Sequence, residues 1–161
     1  MAGTEAGMDD ELTLEQVRER VEDVRVAMVT TVEEDGALSS RPLTVQQITD
    51  DGGVDFLVTR DAGWRADGQR VDVALVDEGT TWVSVSGTAH YVDDPTAVDE
   101  LWDDVSKQFF DDKADAIVMR VSSESWSYWA APNRLAQIFE MAKAFVTDDT
   151  PDLGTKGEIA T

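Results

Sequence analysis

The sequence contains no cysteine and a single histidine, His90. Without thiols there is no disulfide, no thiolate nucleophile and no cysteine-based metal cluster, and one imidazole cannot build a zinc site. Lysine is nearly as scarce: 4 Lys and 9 Arg stand against 22 Asp and 12 Glu, a net charge of −21 on 161 residues. So anionic a chain lacks the basic face that nucleic acid or anionic lipid requires. No run approaches the roughly 18 apolar residues of a membrane span. The opening stretch MAGTEAGMDDELTLEQ has neither a basic n-region nor an apolar h-region, so a cytoplasmic protein is expected. Also missing are the GxGxxG and GxxxxGK phosphate loops and the GxSxG turn of serine hydrolases.

What is present is acid, and it is spread over the whole length. Like charges at this density repel strongly in dilute buffer, where screening reaches about 10 Å at 0.1 M salt. At about 1 M salt the reach falls to roughly 3 Å and the same surface becomes tolerable. The composition therefore reads as halophilic. The pairs Asp93-Asp94, Asp103-Asp104 and Asp111-Asp112 belong to that surface. A hydrophobic content of 42% is ordinary for a globular fold. The expected organisation is a flexible arm over residues 1–10, one domain over 11–146, and a disordered acidic tail over 147–161.

Along the chain, Leu14, Val17, Val21 and Val24 form one helical stripe, and Thr13 with Gln16 fits a capping box at its start. Val26–Val32, Ala37–Ile48, Val54–Thr59, Val71–Val76 and Thr81–Val92 read as strands; Asp35-Gly36 and the run ending Gly52-Gly53 read as turns. Arg60–Arg70 reads as a loop. Pro95–Phe110 has helical spacing; Ala116–Val121 is a sixth strand, with Ser125–Trp129 a seventh or its continuation. A final helix is expected from Leu135 to Phe145. Short connections between six or seven strands exclude a doubly wound parallel sheet. They favour a mainly β fold with accessory helices (α+β), a closed or nearly closed antiparallel barrel.

Between Val26 and Ser106 the only cations are Arg41, Arg60, Arg65 and Arg70. Guanidinium forks suit phosphate oxygens, so these residues are candidates for an electropositive pocket, or each pairs with a nearby carboxylate such as Asp61, Asp67 or Asp72. His90 reads as a surface residue. Trp126, Tyr128 and Trp129 could stack on a flat ring or pack within the barrel.

In order, SSRPLTVQQI, VDFLVTRDA, WVSVSGTAHYVDD, LWDDVSKQFF and SYWAAPNRLAQIFEMAKAFVT resemble the pyridoxamine 5′-phosphate oxidase-like superfamily. The branch they are most similar to is the general stress protein 26-like flavin-binding proteins. The likeness runs from about residue 14 to residue 147. It implies a split β-barrel, a homodimer, and FMN in a cleft between subunits, with Arg41, Thr59, Arg60 and Arg65 around the phosphate. Trp129 and Arg134 would lie near the ring or the dimer partner. The sequence departs from the family where Ala62-Gly63-Trp64 replaces a Ser-x-Lys arrangement, which weakens the expected phosphate site. It departs again at Ala136, where true pyridoxamine phosphate oxidases have a histidine, so oxidation of that substrate is not expected. A flavin-dependent oxidoreductase of unknown small substrate is the leading expectation. A non-catalytic flavin carrier, a cofactor-free barrel and a deazaflavin-dependent reductase are the alternatives.

Salt adaptation has a direct check. The melting temperature should rise between about 0.1 and about 2 M KCl as screening removes self-repulsion; a flat or falling trend would contradict it.

Overall fold

Period-two alternation of apolar side chains dominates the middle of the chain, and in the computed structural model it becomes a barrel. The structure describes residues 11–78, 80–131, 141–142, 146 and 154–161. The expected N-terminal arm, most of the expected final helix, and Arg134 lie outside the described residues.

Six antiparallel strands are β1 (Val26–Val32), β2 (Leu38–Ile48), β3 (Val54–Thr59), β4 (Gln69–Asp77), β5 (Thr81–Val92) and β6 (Ala116–Ala130). Their order is β3-β2-β1-β4-β5-β6, and β3 closes the ring by pairing with β6. On β5, Thr81, Val83, Val85 and Ala89 point into the core, while Trp82 and His90 face solvent. Trp126, Tyr128, Phe56, Leu75, Ile117 and Met119 fill the interior. Helix α1 (Leu14–Val21) starts with the capping box of Thr13 and Gln16 and buries Val17 and Val21 in that interior.

Strand β3 is buried on both sides because a second cluster covers its outer face: Leu57, Val98, Ala116 and Val118, with Leu101, Trp102 and Phe110 packed against them. Its one acid, Asp55, is 1% exposed and accepts hydrogen bonds from Gln47 Nε2 at 2.6 Å and Arg120 Nε at 3.3 Å. A buried carboxylate without such partners would be strongly destabilising.

Two expectations change and one is settled. The helix expected over Pro95–Phe110 is two pieces, α2 (Pro95–Leu101) and α3 (Ser106–Phe109). The Asp103 carboxylate accepts from both the backbone N–H and the hydroxyl of Ser106, each at 2.8 Å, and this local capping competes with a continuous helix. Second, of the two readings left open for Ser125–Trp129 the structure has the continuation, and β6 runs unbroken through its serine-rich middle. The β5–β6 register shifts between Ser86 and Gly87, with Glu124 as the extra residue of a bulge. Gly87 faces the Ser122 carbonyl so closely that no Cβ fits there.

Third, part of the expected disordered tail is a strand. β7 (Thr155–Ala160) pairs with the C-terminal half of β6, from Ser125↔Ala160 to Ala130↔Thr155. Ile159 packs on the core, and Gly157 lets β7 lie directly against the Tyr128 ring. The phenol oxygen of Tyr128 in turn accepts from Leu12 N–H at 2.8 Å. Both Gly154 and Gly157 suggest loop in the sequence; Gly157 allows this approach, and Gly154 lets the chain pass close to the Ala130 backbone just before β7. Gly157→Ala should therefore cost about 1–3 kcal/mol by overpacking, read as a lower urea midpoint. An unchanged midpoint would mean that β7 does not rest on Tyr128.

Candidate functional site

The barrel is split on one side. β2 and β3 pair only at Val45↔Phe56, Gln47↔Asp55 and Ile48↔Val54, with a register shift between Val45 and Gln47. Beyond that shift β2 continues from Thr44 back to Leu38 paired only with β1, and Leu57–Thr59 pair only with β6. Two strand edges thus face each other without a ladder. Val45 N–H donates to the Arg25 carbonyl on the β1 side at 2.9 Å, so antiparallel alternation turns the N–H of Thr44 and the nitrogen of Pro42 toward the split. On β3, Arg60 N–H donates to the Asp115 carbonyl at 2.8 Å on the β6 side, so the N–H groups of Leu57 and Thr59 face the split. Proline has no N–H to lose there, which is why it is tolerated mid-strand.

The split opens into a cleft of about 250 Å³. Leu57 and Val58 make its floor, and Pro42, Leu43 and Thr44 one wall. Thr59, Ala62 and Trp64 form the other, and Ser106 and Phe109 of α3 with the following Phe110 close the end. No charged side chain lines it. Such a slot, apolar with main-chain polar groups along two edges, suits a flat heteroaromatic ring that can hydrogen-bond at its rim. A larger hollow of about 320 Å³ between α1 and β2 is walled by Glu15, Glu19, Glu22, Arg18 and Arg25, and its charged surface suits water instead.

Of the expected residues, the structure places one on the cleft and two beside the Trp64 loop. Thr59 lies on its rim. Arg41, on β2 one residue before Pro42, stacks over the Trp64 ring with Cζ 4.2 Å from the centroid. Arg65, next to Trp64, lies 5.4 Å over the Tyr91 ring. Burial pushes the Tyr91 phenol up to about 12, against the pull of the Arg65 and Arg41 charges, which places both guanidinium groups near one ring. Tyr91 donates to Gln69 Oε1 at 2.6 Å, and Gln69 fixes the loop by accepting from Ala66 N–H at 2.8 Å and donating to the Trp64 carbonyl at 3.3 Å.

Other expected residues are elsewhere. Arg60 turns away to an ion pair with Asp93 and to the Ala114 carbonyl, at 3.0 and 3.1 Å. That pair keeps the Arg60 guanidinium even more firmly protonated than usual. Arg70 pairs with Glu124 at 3.0 Å. Trp126 and Tyr128 are core, whereas Trp129 is exposed on the outer sheet face, opposite Trp82 and beneath Lys156. His90 is exposed, 3.8 Å from Asp67. Pro42, Thr44 and Leu57 are cleft residues that sequence reasoning did not single out. Pro42, a proline inside a strand pattern, was the available sign of an unpaired edge.

A six-stranded antiparallel barrel with one pair of strands parted over an apolar cleft is a split barrel. The chain belongs to the pyridoxamine 5′-phosphate oxidase-like family, whose profile matches residues 12–152. Among solved structures it is similar to a protein of the general stress protein 26 type from Jannaschia sp. CCS1, 24% identical with a TM-score of 0.74 over the whole of both chains. It is also similar to the general stress FMN/FAD binding protein of the phytopathogen Xanthomonas citri. That protein is 26% identical with a TM-score of 0.61, covering 73% of this chain and 90% of that one. The general stress protein 26 of Bacillus anthracis is 16% identical with a TM-score of 0.60, covering 71% and 91%. No curated protein matches the chain. Among the described residues no helix is long and apolar enough to cross a membrane, and no group of acidic or histidine side chains could hold a metal ion.

Proposed function

We propose that this chain is a flavin-binding split-barrel protein that holds FMN in the cleft between β2 and β3. The observation that carries this reading is the uncharged slot flanked by the unpaired edges of Pro42–Thr44 and Leu57–Thr59. The residues fit the group as follows. Leu57 and Val58 offer an apolar floor to the ring, and the N–H groups of Thr44, Leu57 and Thr59 offer donors to its polar rim. Thr59, Ala62 and Trp64 line the side from which the loop runs on to Arg65. Among the described residues no carboxylate is within ion-pair distance of the Arg65 guanidinium, in contrast to Arg41 and Arg60, which pair with Glu33 and Asp93.

When bound, the flavin would supply hydride or single-electron transfer to a small substrate, and the activity proposed is that of an oxidoreductase. The protein side chains would bind, orient and exclude water, because none that lines the cleft is an acid or a base. A homodimer is proposed through the outer sheet face. Val26, Met28, Val76, Trp82 and Trp129 are 41–56% exposed there, and Val76, Trp82 and Trp129 are direct cross-strand neighbours. So much exposed apolar area in one sheet favours a contact. Trp129 would then serve the partner and not the ring. A cytoplasmic, salt-adapted setting remains the proposed context. A second reading, a barrel that has given up its cofactor, is favoured by Trp64, which stands in the Ala62-Gly63-Trp64 stretch where the resemblance leads to a lysine.

Protein purified in about 2 M KCl, where its charge is screened, should take up added FMN and quench its fluorescence. Ala62→Phe, which fills the slot from a loop, should abolish uptake while leaving the melting temperature unchanged. Uptake unaffected by Ala62→Phe would move the site elsewhere, and no uptake by the unaltered protein would favour the cofactor-free barrel.

A further inference from the structure

Arg41 precedes the cleft-lining Pro42, yet its own side chain does not line the cleft. The guanidinium is held along its edge and across its face. Nη1 donates to Thr31 Oγ1 at 3.0 Å, and Nη2 donates to Ser39 Oγ at 3.0 Å and to Glu33 Oε1 at 3.3 Å. Thr31 is completely buried, and its hydroxyl donates onward to the same Glu33 oxygen at 3.4 Å. The Trp64 ring covers one face of the guanidinium, a cation–π contact that strengthens as water is removed. The Arg41 side chain is only 17% exposed, so its pairing with Glu33 is shielded more than that of a surface pair.

Resting on the flavin reading above, we propose that Glu33 is a specificity-determining residue. It is an internal carboxylate that occupies Arg41 and so lowers the preference of the cleft for a phosphorylated ring ligand over its unphosphorylated form. A phosphate would compete with the Glu33 carboxylate for Nη2, the atom that donates to it, and a hydrogen bond between two charged groups is stronger than a neutral one. Nη1 is already held by Thr31. Trp64 completes the arrangement, since the loop that bears it is fixed by Gln69 and Tyr91 and does not need to move for Arg41 to stay seated. Neutralising Glu33 removes the competitor while leaving an oxygen that can still accept from Nη2.

The test is titration of FMN and riboflavin into the unaltered protein, Glu33→Gln and Glu34→Gln. Glu34 is adjacent, carries the same charge, and makes no contact with Arg41 among the described residues. Glu33→Gln should raise the FMN-to-riboflavin affinity ratio about tenfold, the effect of one charge-assisted contact, with riboflavin affinity unchanged. Glu34→Gln should leave the ratio as it was. Adding Arg41→Ala to Glu33→Gln should cancel the gain, which ties the effect to this guanidinium. Both flavins binding with the same ratio in Glu33→Gln as in the unaltered protein would overturn the proposal alone. An equal rise in Glu34→Gln would also overturn it, as a general charge effect. Failure of every form to bind either flavin would overturn it together with the flavin reading.

Discussion

The loss of the hydrogen-bond ladder between β2 and β3 beyond Val45 is the feature on which the site depends. In a closed barrel each strand satisfies its neighbours, so an interior edge with free N–H groups is uncommon. Here the register shift between Val45 and Gln47 changes which β2 amides face β3 and lets the strands part. The outer cluster under α2 and α3 then shields the gap from one end, with Phe109 and Phe110 as its wall. A slot with main-chain donors along two sides follows from backbone pairing alone. No charged side chain is needed to make it.

Charge acts one layer farther out. In a molecule with a net charge of −21, the guanidinium groups around the barrel meet carboxylates or aromatic rings: Arg60 meets Asp93, Arg70 meets Glu124, Arg120 meets Asp55, and Arg65 meets Tyr91. Arg41 finds both, with Glu33 at its edge and Trp64 on its face. On the proposed reading, the anionic surface would enter the binding site indirectly, by setting how available the few cations are.

Much of the fold was legible because alternation is a strong signal. Val26–Val32, Val54–Thr59 and Thr81–Val92 have the same limits in the structure as in the sequence pattern. What the pattern concealed was local chemistry. A bulge at Glu124 lies where the pattern left one strand or two open, Asp103 has helical spacing but binds Ser106 where the helix is interrupted, and Gly157 of β7 resembles loop but allows a close approach to Tyr128. Of the expected residues Thr59, which ends β3 where the Arg60–Arg70 loop begins, lines the cleft, whereas Arg65 lies within that loop and does not. The partner of Arg60 lies 33 residues away across the barrel, so local sequence gave no sign that Asp93 would take it. Pro42 was legible in principle, and its meaning depends on knowing which edge is open.

Amide hydrogen exchange with and without FMN tests the parted strands most directly. Exchange at Thr44, Leu57 and Thr59 should slow on binding, because those three N–H groups face the gap and gain acceptors. Protection confined to other strands, with these three amides exchanging as before, would contradict the account.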